Sequence, residues 1–332
     1  MSPKRVLLTG GAGFIGSHLA EALLERGHQL AIIDNLDDFY DPIRKRDNLE
    51  QIRRRGNFEF FEVDICHSGN LRDAFHHVRP DLVIHLAARA GVRPSIEQPS
   101  VYEKVNIAGT VNVLELARES RIERIIFGSS SSVYGGTNRV PFSEDDAVLR
   151  PMSPYAATKL AGELMCYTYA SLYRIQTLCL RFFTVYGPRQ RPDLAIHKFT
   201  ALLEAGKPIP VFGDGSMGRD YTFVDDIVAG ILSSLEYRFA PDAVPFEVFN
   251  LGNSHPVTLS ELIQSIETAT GRVAVRDPKP LQPGDVPLTW ANIEKASRLL
   301  GYRPRTRTED GLQKFVAWYR ESQVHSLREI AS

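Results

Sequence analysis

Short apolar runs alternate with amphipathic stretches through the first half of the chain. Runs at 5–9, 29–33, 58–63, 82–87, 124–129 and 177–182 have the length of buried strands, while apolar positions recur at helical spacing over 16–26, 100–119 and 154–173. Strands that alternate with helices in this way pair in parallel, with helices on both faces of one sheet. From about residue 183 the texture changes to proline and glycine punctuation, at Gly187-Pro188, Lys207-Pro208, Gly213-Asp214-Gly215 and Pro283-Gly284. The pattern predicts an α/β chain with a doubly wound parallel sheet over residues 1–182. A smaller α/β lobe follows over 183–332, with some segments free to pack back on the first. In such folds ligands bind outside the carboxyl ends of the strands, so the second lobe is expected to cover that crevice.

The first apolar run, Val6-Leu7-Leu8-Thr9, leads straight into Gly10-Gly11-Ala12-Gly13-Phe14-Ile15-Gly16. Strand, glycine turn and helix start stand in the order of a Rossmann dinucleotide site. Gly10 and Gly13 let the backbone approach a pyrophosphate on the helix N-terminus, and Gly16 lets helix and strand pack closely. The second run, Leu30-Ala31-Ile32-Ile33, ends at Asp34, 18 residues past Gly16. An acid at about that distance accepts a ribose 2′-hydroxyl and repels a 2′-phosphate, so the expected cofactor is NAD rather than NADP.

A net charge of −1 over 332 residues offers nothing to nucleic acid or to an anionic membrane. Three scattered cysteines (Cys66, Cys166, Cys179) form no CxxC pair and no disulfide framework, which suits a reducing compartment. The nine histidines show no metal-ligand spacing, so no metal is expected. No apolar run reaches the roughly 18 residues of a membrane helix, and the first strand begins too early to leave room for a signal peptide. The expectation is a soluble, cytoplasmic protein.

Candidate chemistry lies in Ser153-Pro154-Tyr155-Ala156-Ala157-Thr158-Lys159. Ser153 suits an N-cap and Pro154 the first helical position, placing Tyr155 in the first turn and Lys159 on the same face. For Tyr155 to act as a base near pH 7 its pKa must fall by about 3 units, or roughly 4 kcal/mol. One cation about 4 Å away at an effective dielectric of 20 supplies that much, and Lys159, the helix N-terminus and a nicotinamide cation are the expected sources. Upstream, Arg124-Ile125-Ile126-Phe127 ends in Gly128-Ser129-Ser130-Ser131-Ser132-Val133-Tyr134-Gly135, a serine cluster at the ligand-side end of a buried strand. His18 and His85 are expected to fill turn and core positions. Asp225-Asp226 is expected to give a helix N-cap and a first-turn acid.

With these elements the sequence closely resembles the extended short-chain dehydrogenase/reductases over essentially its whole length. The matching segments also include Asp34-Asn35, Asp64-Ile65, His85-Leu86-Ala87-Ala88, Asn106 and Gly218-Arg219-Asp220-Tyr221. Within that family it is similar to the nucleotide-sugar epimerases, those acting on UDP-glucuronate above all. The narrower resemblance is carried by Asp37-Asp38-Phe39-Tyr40-Asp41, Ala90-Gly91-Val92-Arg93, Tyr186-Gly187-Pro188-Arg189-Gln190-Arg191-Pro192 and Gln282-Pro283-Gly284-Asp285-Val286. Arg89 and Pro94 stand where a glutamine and a tyrosine are usual.

The resemblance implies that Tyr155 takes the proton of the sugar 4-hydroxyl while C4 gives hydride to NAD. The 4-keto sugar then turns over in the pocket and is reduced on its other face. It further implies that Ser130 hydrogen-bonds the reacting oxygen and that Lys159 binds the nicotinamide ribose. The cofactor contacts it implies are Gly10, Gly13, Phe14, Ile15, Gly16, Asp34, Asn35, Asp64, Ile65, Leu86, Ala87, Ala88 and Asn106. It implies substrate contacts at Arg93, Ser131, Ser132, Thr184, Arg191, Arg219, Gln282 and Asp285, and a homodimer joined through the helices near 100–119 and 154–173.

Related dehydratases carry Asp-Glu just before Val-Tyr-Gly, and related decarboxylases a glutamate; this chain has Ser131 and Ser132, and elimination without a carboxylate lacks its proton carriers. A 4-keto uronate is a β-keto acid prone to lose CO2. The hydroxyls of Ser130, Ser131, Ser132 and Thr184 are expected to hold its carboxylate away from the geometry of decarboxylation. Gln282 stands where UDP-galactose 4-epimerases usually carry a phosphate-binding arginine, which disfavours that reading. Epimerisation of neutral UDP-sugars (UDP-glucose/galactose or their N-acetyl forms), decarboxylation or dehydration, and a non-catalytic NAD-binding regulator, which the intact Ser130, Tyr155 and Lys159 set disfavours, are the alternatives at this point.

Overall fold

In a computed structural model, which describes residues 3–330 apart from 138, 149 and 282–285, seven parallel strands form the central sheet. In chain order the first six are β1 (Arg5–Thr9), β2 (Gln29–Asp34), β3 (Glu59–Glu62), β4 (Leu82–His85), β5 (Arg124–Ser130) and β6 (Gln176–Phe182). Across the sheet the order is Phe246–Leu251, β6, β5, β4, β1, β2, β3, all parallel. The order reverses between β1 and β4, and at this point the ends of two strands diverge and leave a crevice.

Alternate residues of each strand feed separate cores on the two faces. Val6, Leu8, Ile32, Ile84 and Ile126 point into one, and Leu7, Ile33, Val83, Ile125 and Phe127 into the other. A sheet buried on both faces needs near-continuous apolar strands, and the sequence supplies them.

The strand Phe246–Leu251 pairs with β6, and the helix Val224–Ser234 packs on α1 (Phe14–Glu25), so residues after 182 also build the main layer. Two small sheets complete the second half, one of three strands (Thr184–Tyr186, Gly218–Phe223, Pro256–Thr258) and one of two (Ile209–Phe212, Arg276–Lys279).

The stretch expected as one helix at 100–119 is three pieces. A π-helical turn, Lys104–Ala108, separates Pro99–Glu103 from Gly109–Glu119. Such single π turns are rare and mark functional places in helices.

Candidate active site

The crevice at the strand reversal is a cavity of about 500 Å³. The glycine turn forms one end. Gly10 has φ +73°, and a Cβ there would lie 2.7 Å from the Ala87 nitrogen; a Cβ on Gly16 would lie 2.1 Å from the Gly10 carbonyl oxygen. Only glycine fits either place. Gly13 is the N-cap of α1 and offers no side chain to the first-turn N–H groups, so the helix start is open to an anion.

Asp34, at the end of β2, is buried on the same wall. It accepts N–H bonds from Ala12 (3.2 Å) and Leu36 (3.0 Å), with the Lys45 ammonium 3.8 Å away. Burial pushes its carboxyl above the ordinary range, and Lys45 leads the groups that oppose this. Asp64 accepts from Cys66 N–H (2.8 Å) and Asn35 Nδ2 (3.2 Å); against the effect of burial, these bonds hold its carboxyl below its ordinary value. A cradle of glycine backbone, an open helix N-terminus and an acid at the end of β2 fit a dinucleotide. Gly10, Gly13, Phe14, Ile15, Gly16, Asp34, Asn35, Asp64, Ile65, Leu86, Ala87 and Ala88 all line the cavity.

The other end carries Ser130, Ser131, Ser132, Tyr155, Lys159, Thr184, Arg191 and Arg219. The helix Pro154–Tyr173 starts as expected, with Ser153 Oγ accepting the Ala156 N–H at 3.1 Å and Pro154 at the first helical position. Tyr155 meets Tyr102 edge-on, ring centroids 6.2 Å apart. Burial holds the Tyr155 phenol above its ordinary value, opposed by a hydrogen bond with Ser130 and by the charge of Arg191.

The expectation that Lys159 lowers Tyr155 is corrected here. The ammonium donates to the Gly128 carbonyl oxygen at 2.8 Å and lies 5.1 Å from the Phe127 ring, and burial lowers its own pKa to about 8.

Arg191 is tied to Asp193 through Nε (2.9 Å) and Nη2 (2.8 Å), and its guanidinium lies 5.3 Å from the Phe39 ring. Arg219 Nη1 donates to the Gly218 carbonyl at 2.8 Å.

Two expected contacts are not on the cavity wall. Arg93 is exposed, its guanidinium over the Phe212 ring at 4.9 Å. Asn106, buried in the π turn, braces the wall from behind through bonds to Arg89 and Thr158. Gln282 and Asp285 lie outside the described residues. His18 bonds the Pro188 carbonyl (2.9 Å), and His85 sits between Thr9 and Thr110. Neither Asp225 nor Asp226 caps a helix: the N-cap is Phe223, both acids lie in the first turn, and Asp226 accepts N–H bonds from Arg305 and Thr306.

Sequence reasoning missed Lys45, Tyr40 and the part played by Arg89. Lys45 lies 5.2 Å over the Tyr40 ring, and Arg89 pairs with Asp37 while its guanidinium lies 4.4 Å from Phe39. Lys45 stands in Arg44-Lys45-Arg46, which reads as a solvated basic face, and no signal marks its middle residue. Among the described residues no group of three or more His, Cys, Asp or Glu could hold a metal ion.

Residues 7–315 match the family described as GDP-mannose 4,6 dehydratase. The chain is 41% identical over 317 residues to the UDP-glucuronate 4-epimerase of Thermodesulfobacterium geofontis, covering 95% of this chain and 96% of that protein. It is 44% identical over 330 residues to UDP-glucuronate 4-epimerase 4 of Arabidopsis thaliana, covering 95% and 75%. Among solved structures it is similar to the UDP-glucuronic acid 4-epimerase of Bacillus cereus in complex with UDP-glucuronic acid and NAD. That match has a TM-score of 0.88 at 35% identity, over 96% of this chain and 99% of that one. The UDP-glucose 4-epimerase of Thermotoga maritima, with UDP-glucose, matches at TM-score 0.88 and 33% identity, again over 96% and 99%.

Proposed function

We propose that this chain, which belongs to the GDP-mannose 4,6 dehydratase family within the extended short-chain dehydrogenase/reductases, is a UDP-glucuronate 4-epimerase. It interconverts UDP-glucuronate and UDP-galacturonate through a transient 4-keto sugar, with NAD as cofactor. Bound NAD supplies a hydride acceptor that is restored within each turnover.

The observation that carries the reading is the composition of one wall. Tyr155, Ser130 and Lys159 share the cavity with Ser131 and Ser132, hydroxyls where elimination would need a carboxylate. Tyr155 takes the 4-hydroxyl proton and returns it, Ser130 holds the reacting oxygen, and Lys159, anchored on the Gly128 carbonyl, holds the nicotinamide ribose. The glycine turn and the start of α1 hold the cofactor diphosphate, and Asp34 holds a ribose hydroxyl. Arg191 and Arg219 meet the substrate's anionic groups, with Ser131, Ser132 and Thr184 on its carboxylate. On this reading residues 1–182 hold the dinucleotide and the reacting groups, and 183–332 add Thr184, Arg191 and Arg219 on the nucleotide-sugar.

The equal structural match to a UDP-glucose 4-epimerase keeps neutral UDP-sugars as the second reading. Comparing kcat/KM for UDP-glucuronate and UDP-glucose decides between them: a ratio above about 10² supports the uronate, since a site built for a carboxylate rejects a substrate without one. A ratio below one establishes the neutral sugar.

We further propose a cytoplasmic homodimer. Cys66, Cys166 and Cys179 are free thiols, and the helix Pro154–Tyr173 exposes Leu164, Tyr167 and Leu172. No helix among the described residues is long and apolar enough to cross a membrane. Sedimentation at micromolar concentration tests the dimer; a monomer contradicts it.

A further inference from the structure

Beneath the reacting groups lies a buried carboxylate that the chemistry above does not use. Glu163 stands one helical turn past Lys159 on the helix Pro154–Tyr173, and only 4% of it is exposed. It receives Arg181 through Nε (2.9 Å) and Nη2 (2.8 Å), and the Ser129 hydroxyl at 2.5 Å. Ser129 and Arg181 face each other across β5 and β6, so one carboxylate clasps both strands at the same level. The clasp sits at the active end of the sheet: Ser129 precedes Ser130, and Gly128, just before it, receives the Lys159 ammonium.

We propose that Glu163 is a positioning residue, holding the end of β5 so that the Ser130 hydroxyl is presented to Tyr155 and the Gly128 carbonyl to the Lys159 ammonium. The inference rests on the roles given above to Ser130, Tyr155 and Lys159.

Geometry and charge act in the same sense. Lys159 is faced by Glu163 and Cys166 from its own helix, by the Phe127 ring on β5, by His85 on β4, and by Cys179 on β6. Burial holds the Cys179 thiol protonated, and His85 is neutral. Glu163 is therefore the one carboxylate, among the described residues facing Lys159, that favours its charged form. A buried cation that loses its only nearby anion releases its proton at lower pH. Arg181 needs the same carboxylate, its guanidinium being otherwise stacked at 4.7 Å on the Tyr134 ring.

The test uses E163Q, E163D and S129A in the full-length, NAD-bound protein with two readouts. Initial rates with UDP-glucuronate between pH 6 and 10 separate kcat from KM. Competitive acetylation by trace acetic anhydride, followed by mass spectrometry, titrates Lys159 without turnover. E163Q is expected to lose about tenfold or more in kcat with KM within about twofold, and to move the Lys159 midpoint about one pH unit towards acid. E163D is expected to bring that midpoint back. S129A keeps the carboxylate, so a kcat loss of about threefold to tenfold with an unmoved Lys159 midpoint is expected.

A folded E163Q with wild-type kcat and wild-type midpoint overturns the proposal, as does S129A at wild-type kcat if E163Q does not fold. An inactive wild type overturns the epimerase reading instead, and the acetylation midpoint still decides whether Glu163 holds the charge of Lys159.

Discussion

Asn106 and the backbone of Arg89 exchange a pair of hydrogen bonds: Asn106 Oδ1 accepts the Arg89 N–H at 2.7 Å, and its Nδ2 donates to the Arg89 carbonyl at 2.9 Å. Nδ2 also reaches Thr158 Oγ1 at 3.0 Å, one residue before Lys159. One buried amide, within the π turn, therefore sets the loop after β4 against the catalytic helix. Asn106→Ala leaves the Arg89 N–H and carbonyl without these partners, at about 1–3 kcal/mol of stability. The expected outcome is a lower melting temperature together with faster release of NAD in gel filtration. An N106A protein that melts and retains NAD like wild type contradicts the bracing role.

Tyr155→Phe removes the proton carrier and leaves the ring packed on Tyr102. Turnover is expected to fall by about 10²–10⁴, the usual contribution of a positioned acid or base, while NAD stays bound. A loss under tenfold assigns the proton transfer to another group.

Acid sensitivity follows from His85, buried between Thr9 Oγ1 (2.7 Å) and Thr110 Oγ1 (3.0 Å), where burial and then the charge of Lys159 lower its pKa to about 3. In the unfolded chain it titrates near 6.5. Between these values the unfolded state binds a proton that the folded state refuses, so stability falls as pH drops through that window, by about 1.4 kcal/mol per unit. His85→Asn is expected to remove about that much from the slope of unfolding free energy against pH between 6.5 and 5, read from urea midpoints. An unchanged slope places the acid sensitivity elsewhere.

Ser131→Glu or Ser132→Glu puts a proton carrier where the wall has only hydroxyls. With UDP-glucuronate the expected outcome is release of CO2 and a UDP-pentose beside the epimer. If neither variant yields any pentose, the hydroxyl wall does not protect the keto acid.

The strands β1 to β6 and the helix at 154–173 follow the apolar pattern closely, because a sheet covered on both faces and a helix with a serine cap leave strong local signals. The strand Phe246–Leu251 has an apolar run of its own between Pro245 and Gly252, but it stands amid proline and glycine punctuation, and only its pairing with β6 puts it in the main sheet. The π turn at 104–108 escaped for the opposite reason: its helical periodicity runs unbroken on either side. In the site, glycines and the Ser-Tyr-Lys set could be read because backbone approach and proton transfer demand particular residue types. The Lys45–Asp34 contact, the stacking of Arg89 on Phe39 and the Glu163 clasp could not. Each depends on a partner whose residue type carries no local signal, and only folding brings the two within reach.

The proposed reaction is a self-restoring oxidation and reduction at C4 of a UDP-uronate. Purified protein is incubated with UDP-glucuronate in deuterated water, with no NAD added, and the product is read by NMR and mass spectrometry. The expected product is UDP-galacturonate with the C4 hydrogen carried over and no deuterium at carbon. Loss of CO2, deuterium at C4, or no conversion even after NAD is supplied contradicts it.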